Sequence, residues 1–147
     1  MKKFFYLMSL CLCWFAGAAV MTSCGDDDEN DPENLEIKSG ITESGNKLTL
    51  TAKTSYYKYT LEATFDSNDL CTKMLETETY NSSSAANTAW EAYKAEYADM
   101  PDEWAKYKKD GKSIICDETE RWQGTSKAEI RQYFEWMKEE LDHYSQY

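Results

Sequence analysis

An alternation of apolar and polar residues, which begins at Leu35 and recurs as far as Phe65, most constrains how this chain can fold. A period of two is that of a β-strand with one buried face and one wet face. Polar turn sequences at 43–46 and 66–69 separate the runs. The pattern predicts an antiparallel meander of about four strands before residue 80. A change of phase near Met74 and Leu75 indicates a bulge in the fourth strand.

The period changes to that of a helix after residue 80. Apolar residues then recur at spacings of three and four, at Ala86, Trp90, Tyr93, Tyr97 and Met100. Three consecutive serines precede this stripe as candidate N-caps, namely Ser82, Ser83 and Ser84. Pro101 favours the start of a second helical segment over 102–109, and residues 113–119 have the composition of one late strand.

The closing segment predicts an amphipathic C-terminal helix. Ser126 and Glu129 have the spacing of a capping box. The apolar face that follows consists of Ile130, Tyr133, Phe134, Met137, Leu141 and Tyr144. Strands followed by helices, a late strand and a final helix predict a two-layer α+β domain over 35–147. The stripes of Trp90 and Ile130 are expected to cover the apolar face of its sheet.

The first residues have the order of a secretory signal peptide. Lys2 and Lys3 form a basic start, the run 4–20 is almost wholly apolar, and small residues follow it. A membrane-spanning anchor is the alternative, because such a span needs about 17–25 residues. Plain secretion is the other alternative. Cys24 stands directly after small residues and before three aspartates, which argues against a span.

Two short motifs around Cys24 carry a resemblance to a known class of proteins. Met21-Thr22-Ser23-Cys24 resembles a bacterial lipobox, although Met21 departs from the leucine that is most common at its position. Gly25-Asp26-Asp27-Asp28-Glu29 is similar to the acidic export signal of Bacteroidota surface lipoproteins. The resemblance covers only about the first thirty residues, and the domain behind them resembles no family.

The resemblance implies an anchor and an address. The chain would be cut between Ser23 and Cys24, and Cys24 would carry the lipid. The implied segments are a signal peptide at 1–23, the lipidated cysteine with an acidic tether at 24–34, and a single domain at 35–147. The implied export signal is Asp26, Asp27, Asp28 and Glu29. A diacylglyceryl group with a further acyl chain meets the need for about two membrane signals. The implied location is the outer membrane, on its periplasmic or its exposed side.

The charge of the chain as a whole argues against nucleic acids and against anionic membrane surfaces as partners. The net charge is -11, and cleavage before Cys24 makes it -13 because Lys2 and Lys3 leave without any acid. Nucleic-acid binding depends on lysine and arginine that neutralise phosphates. We therefore expect no nucleic-acid partner, and repulsion between acidic molecules that favours solubility.

Two cysteines besides Cys24 remain after cleavage, Cys71 and Cys116. An oxidising compartment permits a disulfide between them, which an entropic estimate values at about 4 kcal/mol. The alternative is a pair of buried free thiols, which behave as small apolar side chains. The sequence leaves both alternatives open, because it does not show whether the two Cβ atoms meet.

A search for catalytic and ligand-binding motifs favours none. The glycines are isolated, and His143 is the lone histidine, so we expect no cofactor, no metal site and no catalytic residue. Carboxylate pairs such as Glu76 and Glu78, which share a strand face, leave a small hydrolase as the least favoured reading.

Aromatic residues are the stronger functional signal. Tyr56, Trp122 and Trp136 stand at loop or off-stripe positions, where exposed rings with polar neighbours suit sugars or proteins. Packing at the edge of a thin core is the alternative for each of them. The sequence thus predicts a non-catalytic, lipid-anchored envelope module that binds a glycan or another envelope protein. An accessory subunit of an outer-membrane complex is the second hypothesis.

Overall fold

A computed structural model describes residues 37–144 of the chain. Within that range six strands form one antiparallel sheet in the order β1-β2-β3-β4-β6-β5. The strands are β1 Lys38–Ser44, β2 Lys47–Lys53, β3 Tyr57–Phe65, β4 Cys71–Tyr80, β5 Tyr107–Asp110 and β6 Ser113–Asp117. The first four strands form the meander that the alternation predicts.

Four helices accompany the sheet in the described part of the chain. They are α1 Ser83–Glu96, α2 Pro101–Trp104, α3 Thr119–Trp122 and α4 Lys127–Tyr144. Helix α4 packs against β1 and β2, whereas α1 packs against β4 and β6. The domain is therefore a mixed α+β structure with an open sheet, as predicted, and helices cover one face of that sheet.

The register of the strands explains which face is covered. Leu48 and Leu50 of β2 lie opposite Ala63 and Leu61 of β3, and all four are buried. Their neighbours along β2, such as Thr49, point to the other face and remain partly exposed. Burial of one leucine side chain stabilises the fold by about 1.5–3 kcal/mol. A slip by one residue would lose that burial across the whole pair, so the apolar pattern determines the register.

Helix α4 begins and packs as the sequence predicts. The backbone N–H of Ser126 donates to Glu129 Oε2 at 3.1 Å, and the N–H of Glu129 donates to Ser126 Oγ at 3.3 Å. This reciprocal pair is the predicted capping box. Ile130, Phe134 and Met137 bury the face that packs on the sheet.

The bulge lies earlier in β4 than predicted. Phe65 pairs with Cys71 but Thr64 pairs with Lys73, so Thr72 is the extra residue, and the expected position at Met74 and Leu75 is wrong. The extra residue allows both Cys71 and Met74 to be buried in the core although they are three positions apart.

The prediction of a helix over 102–109 is only partly right. The short helix α2 does begin at Pro101, but the chain then extends into β5, whose Tyr107 pairs with Cys116. Gly111, with a φ of 58°, makes the turn into β6. A neighbouring strand supplied the backbone partners here, and a local pattern of four residues cannot reveal that partner.

The predicted stripe of α1 is shorter than expected. Ala86 and Tyr97 are buried, but Met100 is 44% exposed because α1 ends at Glu96. Among the three candidate caps the structure selects Ser82, whose Oγ accepts a hydrogen bond from the N–H of Ala85 at 3.1 Å.

The three serines before α1 provide a matched test of this cap. Ser82→Ala is expected to lower the free energy of unfolding by about 1 kcal/mol, because an N–H group of the first turn loses its acceptor. Ser83→Ala, one residue later, is the control and is expected to change it by less than about 0.5 kcal/mol. Urea unfolding measures both values, and equal losses would contradict the assignment of the cap.

Candidate functional site

Two glutamates lie on the covered face of the central strand β4. Glu76 pairs with Leu61 of β3 and Cys116 of β6, and Glu78 pairs with Tyr59 and Ile114. These partners share the buried side of the sheet, so both carboxyls point toward the helices. Glu78 is only 5% exposed, and Glu76 is half-buried.

Tyrosine hydroxyls satisfy these carboxyls. Tyr80 Oη donates to Glu78 Oε2 at 2.5 Å, and Tyr93 Oη from helix α1 donates to Glu78 Oε1 at 2.9 Å. The hydroxyl of Tyr59 bonds to Glu76. Buried polar atoms need such partners, because an unpaired buried acceptor costs about 1–3 kcal/mol. The tyrosines therefore hold the glutamates as part of the core.

The surroundings change how Glu76 ionises. Burial raises the pKa of its carboxyl to about 8, and the nearby carboxyls of Glu78 and Glu118 raise it further in the same direction. The hydrogen bond from Tyr59 opposes this rise. Glu76 is therefore largely protonated at neutral pH, which avoids like-charge repulsion beside Glu78.

The cavity beside these glutamates is very small. Its volume is about 10 Å³, and its lining consists of Glu76, Glu78, Tyr93, Tyr107, Ile114 and Cys116. Such a volume holds about one water molecule, whereas pockets for small ligands measure about 300–1,000 Å³. The two carboxyls thus lack the cleft that a glycosidic substrate would need between them.

Within residues 37–144 no group of three or more histidine, cysteine, aspartate or glutamate side chains is arranged to hold a metal ion. His143, the lone histidine, lies exposed in the last turn of α4. The same part of the chain contains no helix whose length and apolar character suffice to cross a bilayer.

Two of the three predicted ligand-contact aromatics do meet at the surface. Trp122 at the end of α3 lies 4.7 Å from the ring of Tyr133, and Tyr133 stacks on Trp136 at 6.0 Å. Trp136 is 39% exposed, and the guanidinium of Arg121 lies 5.7 Å from the centre of the Trp122 ring. We call Trp122, Tyr133 and Trp136 the aromatic surface.

Backbone hydrogen bonds place the aromatic surface. The N–H of Gly124 donates to Cys71 O at 2.8 Å, and the N–H of Cys71 donates to Thr125 O at 2.9 Å. These bonds hold the segment between α3 and α4 against the start of β4. Tyr133 and Trp136 are three positions apart on α4 and so lie on one side of the helix. The rings are therefore held by two rigid elements.

The sequence pattern does not by itself indicate that Tyr133 belongs to the aromatic surface. The spacing predicts Tyr133 on the apolar face of the last helix, whereas the structure shows it half-buried and in contact with both tryptophans. Its spacing from Trp136 was the available signal. Tyr56, the third predicted aromatic, is 62% exposed in the connection between β2 and β3. That connection lies at the other end of the sheet from Trp122, so Tyr56 does not join the group.

The predicted alternative of a disulfide between Cys71 and Cys116 is not realised. Both are free, buried thiols. Cys116 pairs with Glu76, which is five residues along β4 from Cys71, or about 16 Å at about 3.3 Å per residue. A bridge needs Cα atoms within about 7 Å. Burial raises the pKa of both thiols, so they fill the core rather than react.

The expected cleavage and lipidation at Ser23 and Cys24, and the export signal at 26–29, lie outside the described residues.

The ionisation of Glu76 predicts how stability depends on pH. Its pKa in the folded state, about 8, exceeds the value of 4.5 for an unperturbed glutamate, so the folded chain binds the proton more tightly. Its contribution to stability is fully present below pH 4.5 and is lost as the pH rises toward 8. Glu76→Gln is expected to flatten this decline, with about 1.4 kcal/mol per pH unit as the ceiling.

Urea unfolding at several pH values between 5 and about 9 measures this effect. Glu91→Gln, on the exposed side of α1, is the control and should leave the decline unchanged. The lowered pKa values of Asp117 and Asp142 act at acid pH, outside this window. An unchanged decline in Glu76→Gln would contradict the assignment.

The thiols predict a simple chemical result. Cys71 and Cys116 should both resist alkylation in the native protein because they are buried, and both should react after denaturation without reductant. Mass spectrometry of the tryptic peptides measures the modification. A peptide pair linked through these two residues would contradict the free thiols of the structure.

Known proteins offer no template for this arrangement. No family model matches the chain, and neither a curated protein nor a solved structure matches it. The function is therefore inferred from the chain's own residues, chiefly the small cavity at Glu76 and the aromatic surface.

Proposed function

We propose that this protein is a non-catalytic carbohydrate-binding module, held at the outer membrane by an acylated Cys24. In this proposal the aromatic surface of Trp122, Tyr133 and Trp136 contacts the sugar. The domain needs no cofactor for this task. The observation that carries the proposal is the grouping of the two tryptophans around Tyr133 at the surface.

The chemistry of this surface suits a sugar. The C–H groups of a sugar ring pack on aromatic faces, while its hydroxyls need polar partners at the rim. Arg121 stands beside Trp122, and Gln132 and Glu140 are one helical turn to either side of Trp136. Because the ring of Tyr133 contacts both tryptophan rings, the tryptophans have less side-chain freedom to lose on binding.

The alternatives fit the structure less well. A hydrolase would need Glu76 and Glu78 beside open space, but their cavity holds about one water and tyrosines engage both carboxyls. An accessory subunit would need an apolar docking face. The uncovered face of the sheet is instead rich in threonine and lysine.

The anchor is supported by the sequence around Cys24 and by the energetics of acyl chains in bilayers. Expression of the wild type and of Cys24→Ser with labelled palmitate, followed by membrane fractionation, tests it. The wild type is expected to take up label and to stay with membranes that are washed at high salt, and the variant to do neither. An unlabelled, freely soluble wild type would contradict the anchor.

The sugar site is tested on the chain that carries Cys24→Ser, first on a glycan array and then by calorimetry with the strongest ligand. Trp136→Ala is expected to weaken binding about tenfold, because the exposed stacking face is lost. Tyr56→Ala is the matched control, since it removes an exposed ring at the other end of the sheet. Circular dichroism confirms that both variants are folded.

Absence of any glycan ligand, together with a protein partner that co-purifies in a defined ratio, would overturn the sugar proposal. Equal losses of affinity in Trp136→Ala and Tyr56→Ala would overturn the assignment of the site.

A further inference from the structure

The face of the sheet that the helices leave uncovered carries an ordered set of lysines. The register aligns Lys38 of β1 with Lys53 of β2, and Lys53 with Lys58 of β3. All three are exposed, and their row crosses one end of the sheet. We call this end, with these three residues, the lysine end.

This row is costly for the fold. Side chains directly opposite each other on neighbouring strands have Cβ atoms about 4.5–5.5 Å apart, and like charges at that spacing are destabilising. On the same face Lys47 does have an acidic neighbour, because its Nζ lies 2.7 Å from Glu62 Oε1. The row itself continues into Thr79, Ser113 and finally Asp110 on the far edge strand. An anionic surface would offset the repulsion between Lys53 and Lys58.

The distribution of charge across the domain supports the same interpretation. The uncovered face of the sheet carries six lysines against three acids, namely Lys38, Lys47, Lys53, Lys58, Lys73 and Lys108 against Glu62, Asp110 and Asp117. In the rest of the described chain acids outnumber basic residues. The domain is therefore acidic as a whole but basic along one face.

Two further features lie at the lysine end. Tyr56, in the connection between Lys53 and Lys58, is 62% exposed, which is more than Met100 or Trp136. Tyrosine has an apolar ring and a polar tip, which suits the boundary between water and lipid headgroups. The first described residue, Ile37, also lies at this end, next to Lys38.

We propose that the lysine end rests on the anionic phospholipid headgroups of the membrane that carries the anchor. This inference depends on the proposed lipidation of Cys24 for its orientation but not for its chemistry. Lys53 and Lys58 contact phosphates, and Tyr56 lies among the headgroups. The opposite end of the sheet, where β6 leads into α3, then faces away from the bilayer.

Screening makes the local charge decisive. At physiological salt a charge acts over about 8 Å, so the acids that oppose the lysines at the headgroup layer are those at the same end, namely Asp142, which bonds to Ser39 beside Lys38, and Asp110 at the end of the row. Each lysine close to an anionic surface strengthens binding about fivefold. Replacing two of them should therefore weaken binding by about 25-fold, and added salt should weaken it further.

The test uses the lipidated chain in vesicles of phosphatidylcholine, with and without phosphatidylglycerol. A lysine-acylating reagent that does not cross membranes is applied, and mass spectrometry reads each site. We expect Lys53 and Lys58 to be labelled several-fold less on the anionic vesicles, and high salt to restore their labelling. Lys94 on α1 should react equally on both kinds of vesicle.

Equal labelling of Lys53 and Lys58 on the two kinds of vesicle would overturn the proposal. Protection that already exists without vesicles would overturn it too, because the lysines would then pair within the chain itself. Protection at Lys53, Lys58 and Lys94 alike would mean general adsorption, and would also count against it.

A second measurement separates this inference from the anchor. The Cys24→Ser chain is sedimented with anionic vesicles, alone and with Lys53→Gln/Lys58→Gln. The matched control is Lys73→Gln/Lys94→Gln, which changes the net charge equally at sites away from the lysine end. Loss of binding only in the first pair supports the proposal even if Cys24 is never acylated. If the wild type is acylated but the Cys24→Ser chain does not bind anionic vesicles, this inference is overturned while the proposed anchor is supported.

Discussion

The burial of two carboxyls on the core face of β4 is the constraint on which the rest of the structure depends. Glu78 is bound by Tyr80 from its own strand and by Tyr93 from α1, so the carboxyl helps to set where that helix packs. Glu76 remains largely protonated because burial and Glu78 both raise its pKa. If both carboxyls were charged and lacked these hydroxyl partners, their burial would cost more free energy than the apolar contacts around this strand provide.

Tyrosines also crowd the core around these two carboxyls. Tyrosines fill the space between α1 and the sheet: Tyr107 Oη lies 3.2 Å from Tyr97 Oη, and the rings of Tyr93 and Tyr107 are 5.5 Å apart. The polar atoms of these side chains bond to one another within the core. The proposed ligand contacts come instead from side chains that project outward, such as Trp136, which is 39% exposed.

The sequence reveals the elements whose pattern is local and misses those that depend on distant partners. The apolar residues of β2 and β3, and the capping box of α4, specify their structures within a few neighbouring positions. Strand β5 exists because β6 pairs with it. The glutamates of β4 alternate with threonines, so hydrophobicity alone would turn them outward. Tyr80 of the same strand, together with the more distant Tyr59 of β3 and Tyr93 of α1, explains why they face the core.

Candidate sites follow the same division. Trp136 was identifiable because it lies off the apolar stripe of its helix. Trp122 was identifiable because it stands outside the predicted strands and helices, although it ends the short helix α3 and does not lie in a loop. Their connection through Tyr133 depends on the packing of α3 against α4. The lysine row was present in three separate strands and became visible only when the register aligned Lys38, Lys53 and Lys58. Since Trp122 follows β6 at the opposite end of the sheet, a bilayer at the lysine end would leave the aromatic surface accessible to ligands. An anchored binding module needs that separation, because a ligand site pressed against its own membrane would be closed to large glycans.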